Sequence, residues 1–404
     1  MIRLAVSAPR LQCYPLRAVP PLIFLALLIS LISCGGGGDE ENPFGLKSEV
    51  VVSAARPITM TFATDGRLFY GEHETGDIRI IMPDGTALTE PFAHLDVQIG
   101  IEWGLTGLAL DPQFQSNHYV YAYFTQPVRP GSPGAQVIAR PVVTRFTDSQ
   151  NKGEDPTIIV GDLPETDPKH PGYNANGRIA FGPDGYLYIS VGDYDSPSKF
   201  DPQDLKDLQG KLLRVKKDDG SPAPGNPFLN DPDADPRVYA YGFREAFDFI
   251  FFPNGMQLYG DDDTPVSCEE LNLIRKGGNY GYPNVGDFPY SECGFGTQEK
   301  AIHYFAKEKT KPGDFLSTVS VSGFAFVSGQ NYPPLGDGLL VCEAETKLMR
   351  RLTLAGTNHD QVAAEDTAIK DCNMDVATSP DGKVFYSNDK EIRRLVQGET
   401  PKKE

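Results

Sequence analysis

One short pattern, repeated six times, most constrains how this chain folds: an apolar strand end, a tight turn often written Pro-Asp-Gly, and a second strand rich in Tyr, Phe, Val and Leu. It runs Phe62-Ala-Thr-Asp-Gly-Arg-Leu-Phe-Tyr70, then Leu108-Ala-Leu-Asp-Pro-Gln-Phe followed by Tyr119-Val-Tyr-Ala-Tyr-Phe124, then Ile179-Ala-Phe-Gly-Pro-Asp-Gly-Tyr-Leu-Tyr-Ile189. It returns at Ile250-Phe-Phe-Pro-Asn-Gly-Met-Gln-Leu-Tyr259, at Phe324-Ala-Phe with Gly338-Leu-Leu-Val341, and at Val376-Ala-Thr-Ser-Pro-Asp-Gly-Lys-Val-Phe-Tyr386. Asp-Gly and Asn-Gly supply the positive φ angles that a two-residue hairpin turn requires, with period-2 strands on either side. The copies start at 62, 108, 179, 250, 324 and 376, steps long enough for a four-stranded sheet with inserted loops. Six such copies predict an all-β fold, a six-bladed β-propeller of four-stranded antiparallel sheets, rather than a sandwich of two layers.

Composition agrees. The 404 residues include 41 Gly, 34 Pro, 18 Tyr and 23 Phe, a turn-rich and aromatic-rich balance. Helical signal is confined to one turn expected at Asp204-Leu-Lys-Asp-Leu-Gln209. The formal net charge of -18 argues against nucleic acid as a partner, because a phosphate-backbone site needs Lys and Arg that are outnumbered here. No dinucleotide-binding Gly-x-Gly-x-x-Gly, phosphate-binding Walker pattern, Gly-x-Ser-x-Gly elbow or His-Glu-x-x-His is found.

The first 33 residues read as an address. Arg3, Arg10 and Arg17 precede an apolar run from Leu22 to Ser33, which closes on Leu31-Ile-Ser-Cys34-Gly35. The segment resembles a bacterial lipoprotein signal, which implies cleavage before Cys34 and lipidation of that residue. Export to the periplasm or cell surface follows, with the membrane touched only through the lipid anchor. Residues 34–48, opening on four glycines and three acids, read as a flexible tether; 49–397 form the propeller and 398–404 a polar tail. In an oxidising compartment Cys268, Cys293, Cys342 and Cys372 are disulfide candidates. Proximity favours Cys268 with Cys293 and Cys342 with Cys372, among three possible pairings.

Four blocks occur in an order that names a family: Gly104-Leu-Thr-Gly-Leu-Ala-Leu-Asp-Pro-Gln-Phe114, Asn176-Gly-Arg-Ile-Ala-Phe-Gly-Pro-Asp-Gly185, Tyr241-Gly-Phe-Arg244 and Glu270-Leu-Asn-Leu-Ile-Arg-Lys-Gly-Gly-Asn-Tyr-Gly-Tyr-Pro-Asn284. From about residue 50 to 397 the chain resembles the soluble quinoprotein glucose/sorbosone (aldose sugar) dehydrogenases. The resemblance implies a six-bladed propeller that oxidises an aldose at C1 by hydride transfer to pyrroloquinoline quinone (PQQ), with Ca2+ holding the cofactor. It also implies Glu102, Arg178, Arg244 and Lys347 on the cofactor, Arg244 beside the quinone. Thr264 and Pro265 would offer carbonyls to the cofactor's calcium, and Glu270 and Tyr280 would serve a second calcium. Hard oxygen donors of this kind suit calcium, and a planar, always-charged guanidinium suits a carboxylate or a developing oxyanion. The electron acceptor has no sequence signature.

Two features depart from the family. Its catalytic His lies four residues before the Arg of the Gly-Arg block, where this chain has Asn174, and an amide cannot take up a proton at neutral pH. The arginines expected just before Asp375 are replaced by Cys372 and Met374. His170 is another candidate base, and the strand-end acids Asp193 and Asp195 are open to serving as base, as calcium ligand or as turn residues. The only Trp, Trp103, is open either to stacking on a sugar or quinone face or to the core. The departures keep an alternative alive: a catalytically inactive propeller lipoprotein that binds carbohydrate or protein.

Overall fold

The computed structural model describes residues 44–100, 102–128, 138–166, 174–175, 177–195, 201–253, 255, 257–263, 269–282, 299–305 and 319–398. They form six four-stranded antiparallel sheets. After β1 (Leu46–Ser53), blade 1 comprises β2 (Pro57–Phe62), β3 (Leu68–Glu72), β4 (Asp77–Ile81) and β5 (Ala93–His94). Blade 2 comprises β6 (Leu105–Leu110), β7 (Tyr119–Pro127), β8 (Ala139–Ser149) and β9 (Lys152–Val160); blade 3 comprises β10 (Ile179–Phe181), β11 (Leu187–Val191), β12 (Lys211–Val215) and β13 (Val238–Tyr241). Blade 4 comprises β14 (Phe249–Phe251), β15 (Leu258–Asp263), β16 (Glu269–Ile274) and β17 (His303–Phe305). Blade 5 comprises β18 (Val321–Val327), β19 (Gly338–Glu343), β20 (Leu348–Ala355) and β21 (Gln361–Lys370), and blade 6 opens with β22 (Val376–Thr378), β23 (Val384–Ser387) and β24 (Glu391–Gln397). β1 completes blade 6, pairing antiparallel with β24 from Leu46↔Gln397 to Ser53↔Glu391, so the first described strand closes the ring.

Each of the six sequence repeats falls on the first two strands of one blade. In blade 3, Ile179 pairs with Ile189 and Phe181 with Leu187, but the turn is longer than the expected two residues: the Gly182 N–H donates to the Tyr186 carbonyl and the Gly185 N–H to the Gly182 carbonyl, and Gly185 at φ 77° takes the positive angle while Asp184 does not. Period-2 alternation does not hold throughout, however. All five residues of β3, β11 and β12 are buried, because a blade is covered on both faces by its neighbours and has no solvent face to fill with polar side chains. The expected helical turn at 204–209 is instead a run of hydrogen-bonded turns, and the helix among the described residues is α1 (Phe114–Asn117), inside the first hairpin of blade 2.

Six apolar clusters fill the six seams between blades. Tyr121, Tyr123 and Val143 of blade 2 meet Ile189 and Leu213 of blade 3, for example, and Met60, Leu68 and Tyr70 of blade 1 meet Ile392 of blade 6. A buried side chain of this size contributes about 1.5–3 kcal/mol, so the seams carry the ring. Across the seam of blades 5 and 6, Cys342 at the end of β19 is disulfide-bonded to Cys372 in the connector to β22, as expected; Cys34, Cys268 and Cys293 lie outside the described residues. Replacing Cys342 and Cys372 with Ser should lower stability by about 2–4 kcal/mol through the freed unfolded chain. Urea unfolding of oxidised wild type and of the double variant checks this, and equal midpoints would refute it.

Candidate active site

In an up-and-down blade, the start of the first strand and the end of the second lie at the same end of the sheet. The connectors entering the first strands therefore share one end of the ring with the turns between second and third strands. Glu102, Asn174, Arg178 and Arg244 lie on those connectors, and Asp193 and Lys347 on those turns.

Asp193 is the hub. The Asn174 side-chain amide donates to its Oδ1 at 2.7 Å, the Asp195 N–H donates to the same oxygen at 2.8 Å, and the Asp193 N–H donates to the Arg244 carbonyl at 2.8 Å. Asn174 has a left-handed φ of 45°; its N–H donates to Glu102 Oε2 and its carbonyl accepts the Tyr194 N–H. Three connectors and one turn, from blades 2, 3 and 4, are thus tied together around one carboxylate. Burial pushes the Asp193 carboxyl above the usual carboxylate range, while the Asn174 and Asp195 hydrogen bonds, the Arg244 charge and the Tyr282 hydroxyl pull the other way and lose. Behind it, Lys211 is wholly buried. Its Nζ donates to the Pro202 and Gln209 carbonyls at 2.8 Å each, and burial lowers its pKa to about 7.

Arg178 reaches from the blade 3 connector to residues of blades 4, 5 and 6. Its guanidinium donates to the Ser322 carbonyl at 2.8 Å, sits 3.7 Å from Asp248 and 3.4 Å from Asp375, and lies under the Phe247 ring at 5.3 Å. Both carboxylates are buried beside it, at the wall of an axial cavity of about 280 Å³. Lys347 carries an exposed ammonium 3.4 Å from Asp389. Arg244 is largely buried, with Glu245 at 3.8 Å.

Glu270 is buried in β16, with its carboxyl pushed up to about 7 by desolvation and only a 3.5 Å contact from the Asn272 amide to oppose it. The Tyr280 hydroxyl is committed elsewhere: it donates to the Leu273 carbonyl and accepts the Arg275 N–H, both at 2.9 Å, while its ring stacks on Phe243 at 4.6 Å. Among the described residues no three His, Cys, Asp or Glu side chains gather as a metal group. Thr264, Pro265 and His170 lie outside the described residues.

Trp103 belongs to the core, packed at 1% exposure in the cluster between blades 2 and 3, not to a stacking face. Sequence reasoning passed over His73, a fully buried imidazole at the end of the ring that holds Asn174. Burial and the nearby Arg56 lower its pKa to about 4, so it is neutral near pH 7, and no hydrogen bond from the described residues reaches either ring nitrogen. Its carbonyl accepts the Leu105 N–H, which sets it against the Glu102 loop.

The family model for glucose/sorbosone dehydrogenases matches residues 54–397, and the chain belongs to that family. Aldose sugar dehydrogenase YliI of Escherichia coli (strain K12) is 25% identical over 317 residues, 78% of this chain and 82% of that protein. Quinoprotein glucose dehydrogenase B of Acinetobacter calcoaceticus is 26% identical over 263 residues, 60% of this chain and 53% of that one. A solved structure from Thermus thermophilus, an oxidoreductase assigned as a glucose dehydrogenase, superposes with a TM-score of 0.70 at 30% identity, covering 87% of this chain and all of that one.

Proposed function

We propose that this chain is an exported, lipid-anchored sugar dehydrogenase that oxidises an aldose at C1 with PQQ and Ca2+. The observation that carries the reading is the gathering of Asn174, Asp193, Glu102 and Arg244 at one end of the ring, held by hydrogen bonds across three blades. The family and the named activities of its relatives support it.

The residues fit such a cofactor on two counts. Arg244 and Lys347 bring cations to that end for a polycarboxylate. Glu270, buried with one long contact among the described residues, fits a calcium ligand. The quinone, when bound, accepts the hydride from C1. The chain's own part is to orient the sugar, exclude water and remove the hydroxyl proton.

Titrating the mature protein with PQQ, with and without calcium, tests the reading. The expected result is stoichiometric binding with a sugar-dependent change in the quinone spectrum, weakened by about 10- to 100-fold in Arg244→Ala, the worth of a charge-assisted contact. Failure to bind PQQ with calcium present would overturn it.

One observation favours a second reading, a non-catalytic propeller that binds carbohydrate or protein. Arg178 is neutralised by two carboxylates and Lys347 is paired with Asp389, which leaves fewer cations for a polyanionic cofactor. An aldose or oligosaccharide binding isotherm in the absence of PQQ affinity is the result this reading expects.

A further inference from the structure

We infer that Asp193, through Oδ2, takes up the C1 hydroxyl proton in this chain; the inference rests on the sugar-dehydrogenase reading. The two oxygens of this carboxylate are used differently. Oδ1 takes the Asn174 amide and the Asp195 N–H, and the Tyr282 hydroxyl and the Arg244 charge also bear on the carboxyl, whereas the buried Oδ2 has no hydrogen-bond partner among the described residues. A buried, unsatisfied carboxylate oxygen is costly, and proteins keep one where a ligand group completes it. Desolvation makes such an oxygen a stronger base than a solvated carboxylate, which moves its proton affinity toward working pH.

The neighbours are assigned by the same geometry. Asn174 can donate and accept hydrogen bonds but cannot be protonated, so it is a positioning residue that fixes the carboxylate through its Nδ2. Glu102 holds the Asn174 N–H and thereby the left-handed connector. His73 is neutral and next to the Glu102 loop, but the hydrogen bonds that tie the three blades together converge on Asp193, not on His73. In the step itself the C1 hydroxyl proton passes to Oδ2 as the C1 hydrogen leaves with its electron pair for the quinone oxidant. The sugar thereby loses two electrons and becomes the lactone, PQQ would supply the two-electron acceptor, and the Asp193 proton passes to water.

Asp193→Asn tests this, because the amide oxygen can still accept from Asn174 and Asp195 and so preserves the fold. Three readouts are compared on the calcium-loaded wild type and the variant. PQQ affinity should change by less than about threefold, while sugar-dependent dye reduction falls by about 10²- to 10⁴-fold, the range of a lost general base. The wild-type pH profile of kcat/KM should rise through a carboxylate value above the usual range near 4, and this limb should vanish in the variant. In the apo protein, the infrared carboxyl band lost in Asp193→Asn should titrate in that same raised range. Asn174→His in the Asp193→Asn background supplies another base and should restore part of the rate. A variant that keeps turnover, or a band that titrates at or below about 4, would overturn the inference. Absence of PQQ binding in the wild type would instead overturn the dehydrogenase reading itself.

Discussion

Arg178→Met should lower stability by about 3–5 kcal/mol at neutral pH, the usual result of removing one partner from a buried charge cluster. The loss is large because the two carboxylates left behind cannot move to water. Asp248 accepts the Phe249 and Phe324 N–H groups at 2.8 and 2.9 Å, and Asp375 accepts those of Met60 and Val376 at 2.6 and 2.8 Å. Asp248 thereby ties blade 4 to blade 5, and Asp375 ties blade 6 to blade 1, so both acids are fixed at the axis. The pH dependence has a definite sign. Burial raises both carboxyls in the folded state and the Arg178 charge opposes it, so removing Arg178 raises them further. A group with a raised folded pKa is bound to its proton more tightly in the folded state, so stability falls as pH rises through the window above the unfolded Asp value near 4. The deficit of Arg178→Met should therefore be greatest near pH 8 and shrink toward pH 5. Adding Asp375→Asn to Arg178→Met should recover part of it at about pH 8 by removing one of the two charges. Urea unfolding of the three proteins across about pH 5–8 measures this, and a deficit independent of pH would show that Arg178 acts by packing alone.

The hairpin repeats were legible because turn chemistry is local: an Asp-Gly pair between apolar runs says what its own residues do, whatever surrounds them. The strand that closes the ring was not, since Leu46 pairs with Gln397 across nearly the whole chain and nothing in either segment names the other. Arg178 stood out in its Gly-Arg block, yet the partners that set its charge state come from blades 4 and 6, out of reach of any local pattern. Trp103 shows the limit from the other side, for a polar flank and a neighbouring glycine read as a loop while the ring itself is buried in the seam of blades 2 and 3. Asp193 was visible as a strand-end acid, but its contact with Asn174 depends on how closely two backbones approach. That approach is set by glycines.

Gly192→Ala should cost about 2–3 kcal/mol and separate Asn174 from Asp193. A Cβ at position 192 would stand 2.2 Å from the Asn174 carbonyl oxygen, and one at position 177 would stand 2.1 Å from the Ser190 carbonyl oxygen. Both obstacles are backbone atoms, which cannot rotate away as a side chain would, so the connector from Asn174 to Arg178 must lift off the end of β11. Lifting it breaks the Tyr194 N–H to Asn174 carbonyl bond and draws the Asn174 amide away from Oδ1, and it loosens the Ser190 N–H to Arg178 carbonyl bond that seats the axial arginine. One methyl group therefore acts on both halves of the end of the ring: the carboxylate loses its positioning amide and the axial cluster loses the backbone that aims its cation. Gly177→Ala should reproduce the effect from the other side of the same contact. In the pair combined, the second methyl should add less than its separate cost, because the connector has already moved. Urea unfolding of both single variants and the double variant gives the stability terms. Accelerated amide exchange at Tyr194 and Ser190 would report the lifted connector, and wild-type protection at both amides would show that the connector does not rest on β11 as described.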